Sequence, residues 1–293
     1  MKNKPIVIIC GDPESTFNEI LIKTLKNKIL EKLKSPIVIF CSKKLFQNEL
    51  KKLKTKLNFQ MFDNKIILHK KKIYLFDIPL SSKNLSLIKK NLYISNSFRM
   101  GLNFLKKNNP LALINGPISK ATFLKGKYNG ITEYLAFNTK SLNEVMLIFN
   151  KDLSVSPMTT HIPVNQITKK IKKKLILNKI QSINEFYKRY LGFKPKIAIT
   201  GLNPHCETFV GKNVEKSEIL PAIKNLKKKN IKIFGPFPAD TIFLKRNREK
   251  FNVIVGMYHD QVLAPMKTIF GFNAINITIG LPFVRITPDH GPN

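Results

Sequence analysis

The feature that most constrains the fold of this 293-residue chain is a regular alternation of two kinds of segment. Short runs rich in Ile, Val and Phe predict buried strands, and amphipathic Lys/Leu/Ile stretches between them predict helices. Strands are predicted at PIVIICG, PIVIFCS, KIYLFDI, LALING, EVMLIFN, KIAITGLN, IKIFGPF, NVIVGMY and AINITIGLP. The most prominent helices are predicted around 15–33, 85–107, 164–190 and 213–229. The pattern indicates an α/β fold with a mainly parallel sheet covered on both faces.

Length and composition restrict the class of protein further. The chain is long enough for one large domain or two ordinary ones, and 43% of its residues are hydrophobic, as in globular proteins. No apolar run is long enough to cross a bilayer or to act as a secretory signal. The three cysteines are odd in number and far apart, which fits a reducing compartment. We therefore expect a cytoplasmic protein without a membrane partner.

The net charge of +33, from 51 Lys and Arg against 18 Asp and Glu, could favour a polyanionic partner. The lysines, however, recur along the whole chain at helix-like spacings, which is typical of solvated helix faces. No nucleic-acid-binding motif accompanies the charge. We expect no nucleic-acid partner, and a non-catalytic nucleic-acid-binding protein is the weaker alternative.

Histidines follow several of the apolar stretches. In parallel sheets ligands bind beyond the carboxyl ends of the strands, so these positions matter for function. Imidazole is the commonest transition-metal ligand at neutral pH. The pattern predicts a shared metal site, while hydrogen-bonded structural histidines are the alternative for each position taken alone. The histidines concerned are His161 in SPMTTHIPV, His205 in ITGLNPHCE, His259 in VGMYHDQ and His290 in RITPDHG.

Other loops that follow strands carry groups suited to anions. NGPISK, from Asn115 to Lys120, could expose backbone N–H groups beside a cation, although an ordinary strand-to-helix turn has the same composition. Lys267, Asn276 and Arg285 add two cations and an amide donor able to hold a phosphate or carboxylate. Arg285 stands between LPFV and IT, where an unpaired guanidinium would be costly. The GxGxxG dinucleotide fingerprint is absent from the sequence.

Seven segments together carry a resemblance to a known family. They are NGPISK, GITEYLA, THIPV, GLNPH, GPFPADTIF, YHDQVLAPMK and NITIGLPFVRITPDHG. In order and spacing the chain, from about Pro5 to its last residue, resembles the 4-hydroxythreonine-4-phosphate dehydrogenase family of the vitamin B6 pathway.

The resemblance implies a fold and an assembly. Family members are homodimers of a two-domain α/β/α subunit related to isocitrate and isopropylmalate dehydrogenases, which bind NAD(P) without GxGxxG. We accordingly expect a first domain, 1–115 plus 265–293, on the cofactor side. A central domain, 116–264, is expected on the dimerisation and metal side. The residues that bind the cofactor are not assigned.

The resemblance also implies the chemistry and the site. The reaction is oxidation of 4-phosphohydroxy-L-threonine to a β-keto acid, which loses CO₂ to give 3-amino-2-oxopropyl phosphate. Asp260 and Asp240 are candidates for handling protons, or for orienting a histidine or capping a turn. The family's divalent metal, zinc, magnesium or cobalt, is held by three histidines drawn from both subunits, and these match His161, His205 and His259. The family's contacts to the phosphorylated substrate match Thr132, Lys267, Asn276 and Arg285.

Three departures from the family pattern are visible. The first loop, GDPESTFNE, replaces a usually glycine-rich loop, and Ile131 stands where the family commonly has a histidine that touches substrate. The sequence also stops at Asn293, where family members continue through the rest of a cofactor-binding loop and a final helix. Because of Ile131, a dehydrogenase of another four-carbon phosphorylated acid, such as threonate or erythronate 4-phosphate, is the main alternative.

Overall fold

The computed structural model describes residues 4–27, 32–63, 66–80, 85–118, 123–124, 128, 130–141, 143–206 and 213–288. Ser119, Lys120 and His290, which the sequence singled out, lie outside these ranges. Strands in the described ranges are β1 (Ile6–Ile9), β2 (Ile37–Cys41), β3 (Gln60–Met61), β4 (Ile73–Asp77), β5 (Ala112–Asn115), β6 (Val145–Phe149), β7 (Ser154–Pro157), β8 (Ile197–Thr200), β9 (Ile233–Phe237), β10 (Val253–Gly256), β11 (Ile275–Ile279) and β12 (Arg285–Pro288).

Helices lie between most of the strands, as the alternation predicts. Single π-helical turns at Tyr187–Leu191 and Glu215–Ile219 adjoin two of them. The α-helices of the described ranges are α1 (Phe17–Leu25), α2 (Lys43–Lys52), α3 (Leu87–Asn108), α4 (Ile131–Thr139), α5 (Ile167–Lys170), α6 (Lys173–Phe186), α7 (Leu220–Lys228), α8 (Ala239–Ile242), α9 (Lys245–Arg248) and α10 (His259–Phe270). No helix of the described ranges is both long and apolar enough to cross a membrane.

The chain divides into two compact units. Unit 1 combines Met1–Lys140 with Pro282–Asn293, and unit 2 is Ser141–Leu281. The sequence-based boundaries lie at 115/116 and 264/265, so the observed division assigns α4 to unit 1 and α10 and β11 to unit 2.

Unit 1 contains a parallel sheet in the order β3-β4-β2-β1-β5-β12. Ile8 belongs to a buried cluster with Ile22 of α1 and Phe46 of α2. A Cβ added at Gly101 of α3 would lie 2.5 Å from the side chain of Ile9. Because neighbouring residues of a strand point to opposite faces, helices cover both faces of this sheet, as the sequence predicts.

Unit 2 contains strands in the order β11-β6-β7-β10-β8-β9. The run from β7 to β9 is parallel, whereas β6 is antiparallel to both of its neighbours. Val155 of β7 and Ile254 of β10 share a buried cluster with Val262 and Met266 of α10. The mainly parallel α/β architecture predicted from the alternation is therefore confirmed.

Strand β7 was not among the predicted strands, and its composition explains why. Its sequence is SVSP, yet all four residues are buried. The hydroxyl of Tyr187 donates to Ser154 Oγ over 2.8 Å, and Ser156 Oγ donates to the carbonyl of Met146 over 2.7 Å. The two hydroxyls are satisfied inside the unit, so a central strand forms without an apolar run.

Candidate active site

The three predicted metal-ligand histidines of unit 2 follow three strands that are neighbours in the sheet. His161 follows β7, His259 follows β10, and His205 follows β8. Strand β10 pairs in parallel with both β7 and β8. The carboxyl ends of the three strands therefore lie along one edge, which is where ligand-binding residues of parallel sheets are expected.

Hydrogen bonds continue beyond β7 and β10 and hold their loops together. Met158 N donates to Gly256 O over 2.8 Å, and Thr159 Oγ1 donates to Met257 O over 2.9 Å. The imidazole rings of His161 and His259 consequently lie close, with ring centroids 5.9 Å apart and planes inclined by 40°. Two of the three predicted ligands are thus brought together within one chain.

Asp260 lies beside His259, at the first turn of α10. Nδ1 of His259 and Oδ1 of Asp260 are 2.7 Å apart. Since an ionised carboxylate can only accept, this contact places the ring proton on Nδ1 and leaves the lone pair of Nε2 for a metal. Asp260 is therefore positioned to orient the imidazole, one of the two roles proposed from the sequence.

His205 occupies a loop that is held at its base. Its own backbone has φ 57°, in the left-handed region, and its side chain is exposed. Among the described residues of one chain, no three His, Cys, Asp or Glu side chains are placed to hold a metal ion together. Within the described part of one chain, the pair His161 and His259 is therefore present without a third ligand beside it.

Gln261 and Glu215 anchor the His205 loop, and sequence reasoning missed both. Gln261 Nε2 donates to Gly201 O over 2.9 Å, and its Oε1 accepts from Met257 N over 2.6 Å. Glu215 is fully buried and accepts hydrogen bonds from residues 202 and 203. The only sequence signal for Gln261 was its place in YHDQ, and Glu215 lay in the polar segment NVEKSEI, at the start of a predicted helix.

Asp240 lies on α8 with an exposed side chain. Burial raises the pKa of the nearby Cys206 thiol, a hydrogen bond from the backbone of Gly201 lowers it, and the charges of Glu215 and Asp240 raise it. Asp240 is therefore close to the loop that carries His205.

Lys267 and Asn276 supply the polar groups that the sequence assigned to substrate within unit 2. Lys267 Nζ lies 5.1 Å from the ring centroid of Phe272, whose side chain is exposed. In β11, Oδ1 of Asn276 is buried and has no hydrogen-bond partner in the described part of the chain. A buried polar atom without a partner is costly, so this oxygen is a candidate contact for a bound polar group.

Arg285 lies in unit 1, at the start of β12, and is 4% exposed. Its Nε donates to Asn115 Oδ1 over 2.7 Å, and its Nη1 donates to Thr132 Oγ1 over 3.0 Å. Burial lowers the pKa of Arg285 to about 10, while the charge of Glu133 acts in the opposite direction. Even so, the guanidinium is a cation at neutral pH, and two neutral side chains fix its plane.

The loops after β1 and β5 of unit 1 touch through their backbones. A Cβ added at Gly116 would lie 2.1 Å from Cys10 O, and one at Gly11 would lie 2.4 Å from Pro117 O. Gly11 also has φ +74°. Asp12 N donates to Pro117 O over 2.9 Å, so these positions require glycine although the first loop lacks the family's glycine-rich composition.

Comparison with known proteins gives a consistent picture. The family model described as pyridoxal phosphate biosynthetic protein PdxA matches residues 32–293. The 4-hydroxythreonine-4-phosphate dehydrogenase of Sulfurihydrogenibium sp. (strain YO3AOP1) is 38% identical, over 98% of this chain and 89% of that protein. A protein of Oceanobacillus iheyensis, described as a candidate D-threonate 4-phosphate dehydrogenase, is 32% identical over 99% of this chain and 91% of its own length.

Solved structures agree with the fold. The 4-hydroxythreonine-4-phosphate dehydrogenase of Klebsiella pneumoniae has a TM-score of 0.81 and 28% identity, covering 99% of this chain and 91% of that one. A β-decarboxylating dehydrogenase of Thermococcus kodakarensis shares the fold at a TM-score of 0.53 and 11% identity, covering 99% of this chain and 76% of that one. With the matches of sequence and fold in agreement, the chain belongs to the pyridoxal phosphate biosynthetic protein PdxA family.

Proposed function

We propose that this chain oxidises 4-phosphohydroxy-L-threonine with NAD(P) and a divalent metal, and that the β-keto product loses CO₂ to give 3-amino-2-oxopropyl phosphate. The observation that carries the proposal is the placement of His161, His205 and His259 at the carboxyl ends of three neighbouring strands. Relatives of up to 38% identity over nearly the whole chain are named 4-hydroxythreonine-4-phosphate dehydrogenase, and the proposed substrate follows from that name. The reaction belongs to pyridoxine 5'-phosphate synthesis.

Arg285 and Thr132 are the substrate contacts that unit 1 provides. Thr132 Oγ1 accepts from the guanidinium, which leaves the hydroxyl proton of Thr132 free to be donated to a substrate oxygen. The hydrogen bond to Asn115 keeps the guanidinium in one plane, so less freedom is lost when it binds an anion. Within unit 2, the substrate contacts we propose are the cation Lys267 and the amide Asn276.

The donor set of unit 2 suits a divalent transition metal. Imidazole nitrogens bind zinc and cobalt well, and the lone pair of His259 Nε2 is available because Nδ1 faces Asp260. When bound, the metal would act as a Lewis acid on the oxygen at the reacting carbon. We name His161, His205 and His259 as its ligands, and Asp260 and Asp240 as the carboxylates that orient these groups or carry a proton.

We further propose a homodimer in which the metal site is shared. The rings of His161 and His259 lie close together in one chain, but its described residues contain no group of three ligands. Both observations support a third ligand from a second copy of the chain. Unit 1 is the proposed cofactor side, and unit 2 the proposed dimerisation and metal side. The three free cysteines are compatible with a cytoplasmic location.

A second candidate function has one observation in its favour. Ile131 begins α4, next to Thr132, and stands where the family commonly has a histidine. An apolar side chain there removes one polar contact between protein and substrate, so the group recognised at that position can differ from the family's. Oxidation of D-threonate 4-phosphate, the reaction in the name of the Oceanobacillus relative, is therefore the alternative.

The decisive experiment measures NADH or NADPH formation with purified protein. The substrates are 4-phosphohydroxy-L-threonine, D-threonate 4-phosphate and D-erythronate 4-phosphate, each assayed after chelator treatment and again with added zinc, magnesium or cobalt. We expect metal-dependent turnover with the first substrate at the highest kcat/KM. Preference for a threonate or erythronate phosphate would establish the alternative, and no turnover with any of them would refute both.

A further inference from the structure

We propose that Glu215 is a positioning residue that fixes the loop presenting His205 to the metal. The inference rests on the proposed function, because it gives Glu215 a role only if His205 is a ligand. Sequence alone assigned Glu215 no role: it lies in the polar segment NVEKSEI, a composition typical of a solvated helix.

The carboxylate of Glu215 is fully buried, and its hydrogen bonds within the described part of the chain go to one loop. Oε1 accepts from Leu202 N and from Asn203 N, each over 2.8 Å. Oε2 accepts from Nδ2 of Asn203 over 2.9 Å. Both oxygens therefore bind the two residues that precede Pro204 and His205, and they fix the direction of the chain at that point.

A carboxylate is the side chain best suited to this position. All three groups that point at it are N–H donors, and an ionised carboxylate offers only acceptors. A glutamine would offer one oxygen and one NH₂ group. If its oxygen accepts from the two backbone N–H groups, its NH₂ faces the side-chain NH₂ of Asn203, and two donors meet. Burying a charge is costly unless hydrogen bonds compensate it, and here the compensation comes from the loop that must be held.

Gly201, at the base of the loop, is held by other partners. Gly201 N donates to Phe237 O over 3.0 Å, and Gly201 O accepts from Gln261. Residues 201 to 203 are thus each held by hydrogen bonds, whereas His205 is exposed. The fixed base and the exposed histidine are what a metal-ligand loop requires, since a ligand displaced by a fraction of an ångström binds more weakly.

The test compares two glutamates of the same π-helical turn. Glu215→Gln replaces one of the two acceptor oxygens with an NH₂ donor. Glu218→Gln is the control, because Glu218 is partly exposed and bonds Lys173 N at 2.6 Å instead of the His205 loop. Co²⁺ is titrated into each chelator-treated protein and followed by its visible absorption, and thermal unfolding without metal monitors the fold. His205→Ala serves as the reference for loss of the ligand itself.

We expect Glu215→Gln to weaken Co²⁺ affinity by about tenfold or more, the size usual for groups that orient metal ligands. Glu218→Gln should bind like the wild type. At saturating Co²⁺ the turnover of Glu215→Gln should recover, because the variant loses affinity for the metal and not a reacting group.

Two results would overturn the inference in distinguishable ways. Wild-type Co²⁺ affinity in Glu215→Gln, with affinity lost in His205→Ala, would remove Glu215 from the site but leave the metal centre. Unchanged affinity in His205→Ala as well would refute the metal centre and the inference together. Should Glu215→Gln not fold, Asn203→Ala deletes only the bond to Oε2, and wild-type affinity in that variant would equally overturn the inference.

Discussion

Arg285 Nε donates to Asn115 Oδ1 over 2.7 Å, and both side chains are buried. Burial lowers the pKa of Arg285 only to about 10, and the charge of Glu133 raises it, so the guanidinium keeps its positive charge at neutral pH. A cation held in one plane is suited to an anion, which is the role we propose for Arg285.

Arg285→Lys should raise KM for the phosphorylated substrate by about tenfold or more, because an ammonium cannot reproduce the planar set of donors. Lys267→Ala should have a similar effect without loss of stability, since Lys267 is only partly buried. Steady-state kinetics provide the measurement, with KM for NAD(P) expected to stay within about twofold. The exposed Lys250→Ala is the control, and unchanged substrate KM in both test variants would exclude these two cations from the site.

Ile131→His should lower KM for 4-phosphohydroxy-L-threonine, because it restores a polar contact beside Thr132 at the start of α4. Substrate titrations of the variant and the wild type measure the effect, and Ile131→Ala controls for the loss of the apolar side chain. Loss of activity in Ile131→His would instead mean that the pocket has been rebuilt around an apolar residue. In that case the threonate substrate should be tested first.

Mixing the inactive variants His205→Ala and His259→Ala, under conditions that allow subunit exchange, should restore part of the activity. If the two ligands come from opposite subunits, one site of each heterodimer keeps all three histidines. Mixing His161→Ala with His259→Ala should restore none, because these rings lie 5.9 Å apart in one chain and both sites would lose a ligand. Verified exchange without recovery in the first mixture would argue that the site is not shared.

Tyr187→Phe should lower the free energy of unfolding by about 1 kcal/mol, because it removes the buried hydrogen bond to Ser154 of β7. Tyr190→Phe, on the same turn and 41% exposed, is the control. Urea unfolding with the m-value held constant measures both. A loss no larger than that of the control would mean that the Tyr187 hydroxyl does not stabilise β7.

The same variant has a pH signature. Burial raises the pKa of Tyr187 from 10.0 to about 12, so the unfolded chain releases this proton at lower pH than the folded chain. The unfolded state then binds fewer protons, and stability falls as the pH rises from about 10 to about 12. Tyr187→Phe should lack this part of the alkaline decline. An unchanged alkaline decline in the variant would assign the effect to other groups.

The sequence predicted those parts of the fold that depend on local pattern. Apolar strands such as β1 and β10 could be predicted because their own residues are hydrophobic. His259 was singled out because it follows such a strand, and ligands bind beyond the carboxyl ends of parallel strands. Strand β7 was missed because Ser154 and Ser156 are polar residues satisfied by distant partners. The same applies to Glu215, which is buried because it binds the His205 loop, a partner that its polar neighbours in sequence do not reveal.

The discontinuity of unit 1 has a consequence for biosynthesis. Asn115 and Arg285 are 170 positions apart, and β12 pairs with β5 only after unit 2 has been translated. At about 5–20 residues per second, Asn115 leaves the ribosome roughly ten to thirty seconds before its partner. During that interval β5 is an unpaired strand edge, a surface prone to wrong pairing. Arg285 therefore reaches its place beside Asn115 only after the whole of unit 2 has been made, and translation speed or chaperone supply should affect the yield of active enzyme.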